Sequence, residues 1–152
     1  MKIGIAADHG GFALKEHIMD LVKAWGHEPI DFGAHTYDAA DDYPDFIVPL
    51  AQAVVDQQVE KGIAVCGSGI GAAIAANKIK GARASVVTDA YSARQGVEHD
   101  AMNVMCLGGR ITGIALVEEL VKNYLDAKYT GEERHNRRLG KVEAIEDTWK
   151  VK

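Results

Sequence analysis

Nothing in this chain of 152 residues is built to cross a membrane, to form a disulfide scaffold or to hold a polyanion. No apolar run approaches the roughly 20 residues that a membrane-spanning helix needs. There are only two cysteines, Cys66 and Cys106, too few for a disulfide framework. The net charge of −5 disfavours nucleic acid and anionic membranes as partners. Met1-Lys2-Ile3 leads straight into a strand pattern with no signal-peptide pattern, so a cytoplasmic location and reduced thiols are expected. C-x-x-C and H-x-x-x-H are both missing, and His17, His27 and His35 lack ligand spacing, so no metal site is expected. Internal repeats, linkers and low-complexity segments are missing too. What remains is ordinary globular composition, 47% hydrophobic and 26% charged, and one domain over residues 1–152 is expected.

Strand and helix patterns alternate along the chain. Apolar strand runs are predicted at Lys2–Ala7, Glu28–Phe32, Ile63–Cys66, Arg83–Val87 and Asn103–Leu107. Helical periods are predicted at Phe12–Trp25, Asp45–Gln57, Ala72–Lys78, Ala90–Glu98, Gly113–Ala127 and Arg134–Trp149. Short, nearly all-apolar strands between helices imply a parallel sheet covered on both faces. The expected fold is α/β: a Rossmann-like three-layer αβα sandwich with a five-stranded parallel sheet and an extra C-terminal helix. That last helix stands outside the alternation, which suits packing on a partner subunit. Ligands of such sheets sit at the carboxyl ends of the strands.

The segment Val65-Cys66-Gly67-Ser68-Gly69-Ile70-Gly71 is the most informative. A strand ends in a thiol, and a glycine-rich turn opens a small-residue helix. Gathered backbone N–H groups there can hold an anion and activate a cysteine. A free cysteine at a strand end is more often simply buried, but packing alone does not require Gly67, Gly69 and Gly71 beside it. Ser68 is placed to donate to the sulfur or to a substrate. Cys106 also ends a strand, with no such turn after it, and reads as core. A cysteine phosphatase needs an arginine where Ala72 stands, so that reading fails. A phosphocysteine carrier of sugar uptake fits the turn, although its cysteine would be expected after the first strand. The glycine spacing does not match a dinucleotide fingerprint.

Other polar residues gather at strand mouths or helix ends. Asp8 and His9, followed by Gly10-Gly11, leave the first strand; the bland alternative is a helix-capping aspartate. They lie beside Cys66 if the first and third strands are neighbours. His99 ends a helix, where a histidine is usually solvated, but it is a candidate acid/base near a thiol. Tyr43 is placed to meet a substrate hydroxyl. Arg134 and Arg138 are i and i+4 on one helix face and suit a phosphate, and Arg110 follows Gly108-Gly109 after the fifth strand.

Together and in order, Asp8-His9-Gly10-Gly11, Tyr43-Pro44, Cys66 to Gly71, His99-Asp100, Gly108-Gly109-Arg110 and Arg134-His135 with Arg138 resemble the type B ribose-5-phosphate isomerases. These belong with galactose-6-phosphate isomerase subunits in one superfamily, and the resemblance covers essentially the whole chain. It implies an aldose–ketose isomerase without a cofactor, acting on a small sugar phosphate through an enediolate. It further implies Cys66 as the base, because the alternative glutamate of the family is Ala72 here. His99 would open the furanose ring with help from Asp8. His9, Arg134 and Arg138 would bind phosphate, and Arg110 would join the substrate site. Gly67, Ser68, Gly69, Ile70 and Gly71 would hold the enediolate, with Tyr43 near the sugar hydroxyls. The active sites would be shared within a homodimer or a dimer of dimers. Asp100 departs from the asparagine common in the family; a carboxylate only accepts hydrogen bonds. The resemblance implies ribose 5-phosphate as the leading substrate, and the Asp100 departure keeps a tetrose phosphate or a hexose 6-phosphate as alternatives.

Overall fold

The three central strands are almost wholly apolar and buried because helices cover both faces of the sheet. In the computed structural model, which describes residues 1–148, β1 (Lys2–Ala7), β2 (Glu28–Asp31), β3 (Lys61–Cys66), β4 (Ala84–Val86) and β5 (Val104–Gly108) form one sheet. Its order is β2-β1-β3-β5-β4, and every pairing is parallel. Side chains alternate between the faces. Ile3, Ile5, Ile63, Val65, Met105 and Leu107 pack against helices on one side, while Ala6, Ala64, Cys66, Val104 and Cys106 pack on the other.

The helices are α1 (Phe12–Ala24), α2 (Pro44–Val55), α3 (Ile70–Ala76), α4 (Ala90–Asp100), α5 (Ile114–Asp126) and α6 (Glu133–Thr148). Leu14, Ile18 and Val22 of α1, with Val117, Leu120 and Val121 of α5, fill the first face. Ile47, Leu50 and Val54 of α2, with Ala72 and Ala76 of α3, fill the second. All eleven predicted elements are present, with ends shifted by a few residues. The third helix starts earlier than the Ala72 expected, because Gly69 adopts φ 80° and turns the chain directly into it. Trp149, placed in the last helix by its sequence pattern, lies outside the described residues.

The α6 helix is separate from the sandwich. His135 near its start meets the end of α4, and Glu146 accepts from the N–H of Gly81 just before β4. The helix therefore lies at the amino-terminal end of the sheet.

A buried lysine, Lys15, and a half-buried one, Lys61, tie elements together at their polar ends. Lys15 of α1 donates to both carboxylate oxygens of Asp31 at 2.8 Å. Burial works against the Asp31 charge, but that pair and the Gly33 N–H hold its carboxyl below the ordinary range. Lys61 at the start of β3 donates to the carbonyls of Tyr124 and Ala127 at the end of α5, at 2.6 and 2.9 Å. Burial brings Lys61 down to about 8.

Candidate active site

The strand order reverses direction at β1 and β3, where one connection leaves toward β2 and the next toward β5. Such a switch point opens a crevice beyond the strand ends. Asp8 and Cys66 stand on its two sides, since Ala7 is in register with Val65. The loops that follow are knitted together by backbone hydrogen bonds. Asp8 N–H donates to Val65 O at 3.3 Å, Gly109 N–H to Cys66 O at 2.8 Å, and Arg110 N–H to Gly67 O at 3.1 Å. A Cβ on Gly10 would lie 2.8 Å from the Gly67 nitrogen. That glycine is needed so that the β1 and β3 loops can touch.

Cys66 is 5% exposed at this mouth. The N–H of Gly69 donates to its Sγ at 3.1 Å. Ser68 was expected to supply a donor to the sulfur or to a substrate. Its Oγ accepts from Ile70 N–H at 3.3 Å, which leaves the hydroxyl proton to donate, and the donor seen at the sulfur is the Gly69 N–H. The Tyr43 ring lies over Gly71, where a Cβ would come within 2.9 Å of it. The Arg110 side chain passes over Gly67 in the same way, at ordinary contact distance. Cys106, read as core, is fully buried, and burial pushes its thiol up to about 12.

His9 is held by a residue that sequence reasoning did not single out. Asp41 Oδ1 accepts from the His9 backbone N–H at 2.9 Å and meets the ring Nδ1 at 2.7 Å. The Asp41 hydrogen bond, opposed by desolvation and supported by the Asp8 charge, raises the His9 pKa above the usual histidine value. Asp8 is buried and accepts from Gly10 N–H at 2.8 Å. It closes the turn rather than capping α1, whose N-cap is Gly11. Asp8, His9 and Asp41 lie within 4.8 Å of one another, a spacing a metal ion can use. Here the shortest contact joins His9 to Asp41 directly, so their facing atoms are paired with each other.

A second polar cluster forms at the opposite end of the sheet. Helix α4 runs back from the carboxyl end of β4, so His99 and Asp100 at its last turn lie beside the start of β5. The His99 ring stacks on that of His135, with centroids 4.1 Å apart and planes 28° apart. Gln95 Nε2 lies 2.9 Å from His99 Nδ1. Thr130 Oγ1 donates to Glu98 O at 3.1 Å and meets His135 Nδ1 at 2.9 Å. With its only proton given to Glu98, that hydroxyl accepts from His135 Nδ1–H, and the other nitrogen, Nε2, is buried without a partner among the described residues. Burial first, then the His99 and Arg134 charges, lowers the His135 pKa. Arg134 and Arg138 are exposed on the same helix, Arg134 bonded to Glu132 at 2.9 Å.

The expected site residues therefore fall into two groups. Asp8, His9, Tyr43, Gly67 to Gly71, Cys66 and Arg110 meet at the carboxyl end. His99, Asp100, Arg134 and Arg138 meet at the amino end. The length of β5, at about 3.3 Å per residue, puts the two groups roughly 15 Å apart or more within one chain. Arg110, expected to join the substrate site, lies beside the thiol turn. Asp41, Gln95, Thr130 and His135 were not singled out as site residues. His135 is only 1% exposed although Arg134, Arg137 and Arg138 around it are exposed.

Residues 3–142 match the family model described as Ribose/Galactose Isomerase. The ribose-5-phosphate isomerase B of Escherichia coli is 39% identical over 145 residues, covering 95% of this chain and 96% of that protein. The solved ribose-5-phosphate isomerase B of Clostridium thermocellum superposes with a TM-score of 0.95 at 45% identity, covering 99% of this chain and all of that one. The Mycoplasma genitalium enzyme, solved with bound ribulose-5-phosphate, superposes with a TM-score of 0.92 at 36% identity, covering 97% of each chain. From its sequence, its five-stranded sheet and these relatives, the chain belongs to the ribose/galactose isomerase family.

Proposed function

We propose that this protein interconverts ribose 5-phosphate and ribulose 5-phosphate through an enediolate, with Cys66 as the base. The observation that carries this reading is the Gly69 N–H donated to Cys66 Sγ at the switch-point mouth, in a chain 36% identical to a relative solved with ribulose-5-phosphate. In the open-chain aldose, the Cys66 thiolate takes the proton from C2, and electrons move onto the C1 carbonyl oxygen to form the enediolate. The backbone N–H groups of the Gly67–Gly71 turn stabilise that charge. The proton then returns to C1 and leaves a ketone at C2, with the hydroxyl proton shifting from O2 to O1. Ser68 and Tyr43 meet the sugar hydroxyls. His99, assisted by Asp8, opens the furanose ring first, while Asp100 and Arg110 contact the open chain.

His9, Arg134 and Arg138 anchor the phosphate, and chemistry takes place at the other end of the substrate. Because these groups lie at opposite ends of one chain, a working site is composite: the thiol of one copy faces His99 and the arginines of another. Exposed apolar residues favour such docking. Ile70, Ile74, Ile111 and Ile114 flank the mouth, and Val142 and Ile145 lie on α6. A homodimer satisfies this arrangement, and a dimer of dimers repeats it.

The direct test assays tetrose, pentose and hexose phosphates for aldose–ketose exchange in heavy water. Solvent deuterium should enter the ribulose 5-phosphate–ribose 5-phosphate pair at the carbon that gains the proton. No exchange with any sugar phosphate, together with phosphorylation of Cys66 by a phosphotransfer donor, would favour the carrier reading.

A further inference from the structure

His9 meets Asp41 at two points, and both use one oxygen. Asp41 Oδ1 takes the His9 main-chain N–H at 2.9 Å and the ring Nδ1 at 2.7 Å. The Asp41 side chain is 8% exposed, whereas the His9 side chain remains 27% exposed. The other oxygen, Oδ2, is buried and has no hydrogen-bond partner among the described residues. A carboxylate this dry is costly unless a cation pairs with it. Asp41 comes from the irregular loop before α2, a separate segment from the β1 loop it grips.

We propose that Asp41 is the positioning residue of the phosphate-binding histidine: it fixes the His9 ring through Nδ1 and reserves Nε2 for the substrate phosphate. An ionised carboxylate only accepts, so the proton on Nδ1 is set by its partner. The remaining nitrogen, Nε2, can donate to a phosphate oxygen only when the ring is an imidazolium. Three charged groups act on that protonation. Asp41 and Asp8 favour the cation, and the Arg110 guanidinium opposes it, with burial also against it. Asp41 dominates, so removing its charge leaves Arg110 and burial the stronger hand. An imidazolium at Nε2 gives the phosphate a charge-assisted hydrogen bond of fixed direction. This role rests on the proposed phosphate function of His9, but the state of the His9 ring can be read without any substrate.

The test pairs ¹⁵N spectroscopy of the histidine rings in the unliganded full-length protein with kinetics of Asp41→Asn. In the wild type, His9 should titrate above about 6.5, the ordinary histidine value, and keep its proton on Nδ1 when neutral. In Asp41→Asn its midpoint should fall by about one unit or more, which lowers the imidazolium fraction near pH 8 about tenfold. KM for the sugar phosphate should then rise about tenfold at pH 8 with kcat little changed, and the gap should narrow toward pH 6, as more of the variant's His9 becomes protonated. A structural role alone would leave the KM gap independent of pH. An unchanged His9 midpoint in Asp41→Asn, or a pH-independent KM gap, overturns the proposal. If Asp41→Asn does not fold, the wild type still decides: a neutral His9 carrying its proton on Nε2 overturns it. A chain without isomerase activity would overturn the proposed function and leave the spectroscopic result standing.

Discussion

The backbone N–H of Gly69 donates to Cys66 Sγ at 3.1 Å, and Gly69 itself sits at φ 80°, the turn that carries the chain from this bond into α3. A side chain at this position is strained twice. L-residues rarely adopt such a φ, and a Cβ would lie 3.1 Å from the Leu107 carbonyl carbon. Gly69→Ala is expected to cost roughly 1–3 kcal/mol of stability and to lower kcat about 10²–10³-fold by moving the turn's donors. Urea unfolding and steady-state kinetics check both. Wild-type turnover in this variant would remove the turn from the mechanism.

The two cysteines should separate chemically. Cys66 stands at the mouth, whereas Cys106 is sealed in the sheet with its thiol at about 12. Iodoacetamide at pH 8 is expected to modify Cys66 alone, with bound sugar phosphate slowing the reaction. Cys66→Ala should lose turnover by about 10²–10⁴-fold, the usual contribution of a general base, while retaining sugar-phosphate binding. Mass mapping of the labelled peptide and a calorimetric titration would decide. Near-normal turnover of Cys66→Ala would overturn the thiol base.

His135 ties the docking of α6 to pH. Its folded-state pKa is lowered, so below about 6.5 the unfolded chain binds more protons than the folded one. Its contribution is therefore complete above that pH and is lost as the pH falls toward the folded value. Arg134, Arg138 and His99 add to the cost of a proton, and Glu132 offsets part of it. His9 has the opposite sign: its raised pKa favours folding below about 6.5 and loses that effect as pH rises. The stability difference between wild type and His135→Gln, measured by urea unfolding, should shrink from pH 7 to pH 5. A constant difference would mean that His135 does not titrate in this range.

Asp100 lies exposed beside His99 at the end of α4. A carboxylate can accept from sugar hydroxyls but cannot donate to an enediolate oxygen. Asp100→Asn should alter the ranking of tetrose, pentose and hexose phosphates by kcat/KM. An unchanged ranking would exclude Asp100 as a specificity residue.

Most of this architecture is legible in the sequence because local patterns coincide with global ones. The apolar runs of β1 and β3, buried on both faces, cannot be mistaken for amphipathic helices, and the glycine turn after Cys66 marks a strand end directly. Asp41 was not legible, since it lies in an irregular loop where no period singles out one carboxylate among several. The burial of His135 was hidden by Arg134, Arg137 and Arg138 around it, which make the segment look like a solvated face. The separation of His99 from Cys66 follows from the direction of α4, and that direction was implicit once the sheet was read as parallel.

The composite site is the central claim, and subunit complementation tests it most directly. Cys66→Ala and His99→Asn should each be inactive as pure proteins. When the two are unfolded together and refolded as a mixture, a mixed dimer has one site with both substitutions and one with neither. With random assortment, roughly a quarter of wild-type activity should return. No recovery, in a mixture shown by tagged copies to contain mixed dimers, would contradict a site built from two chains.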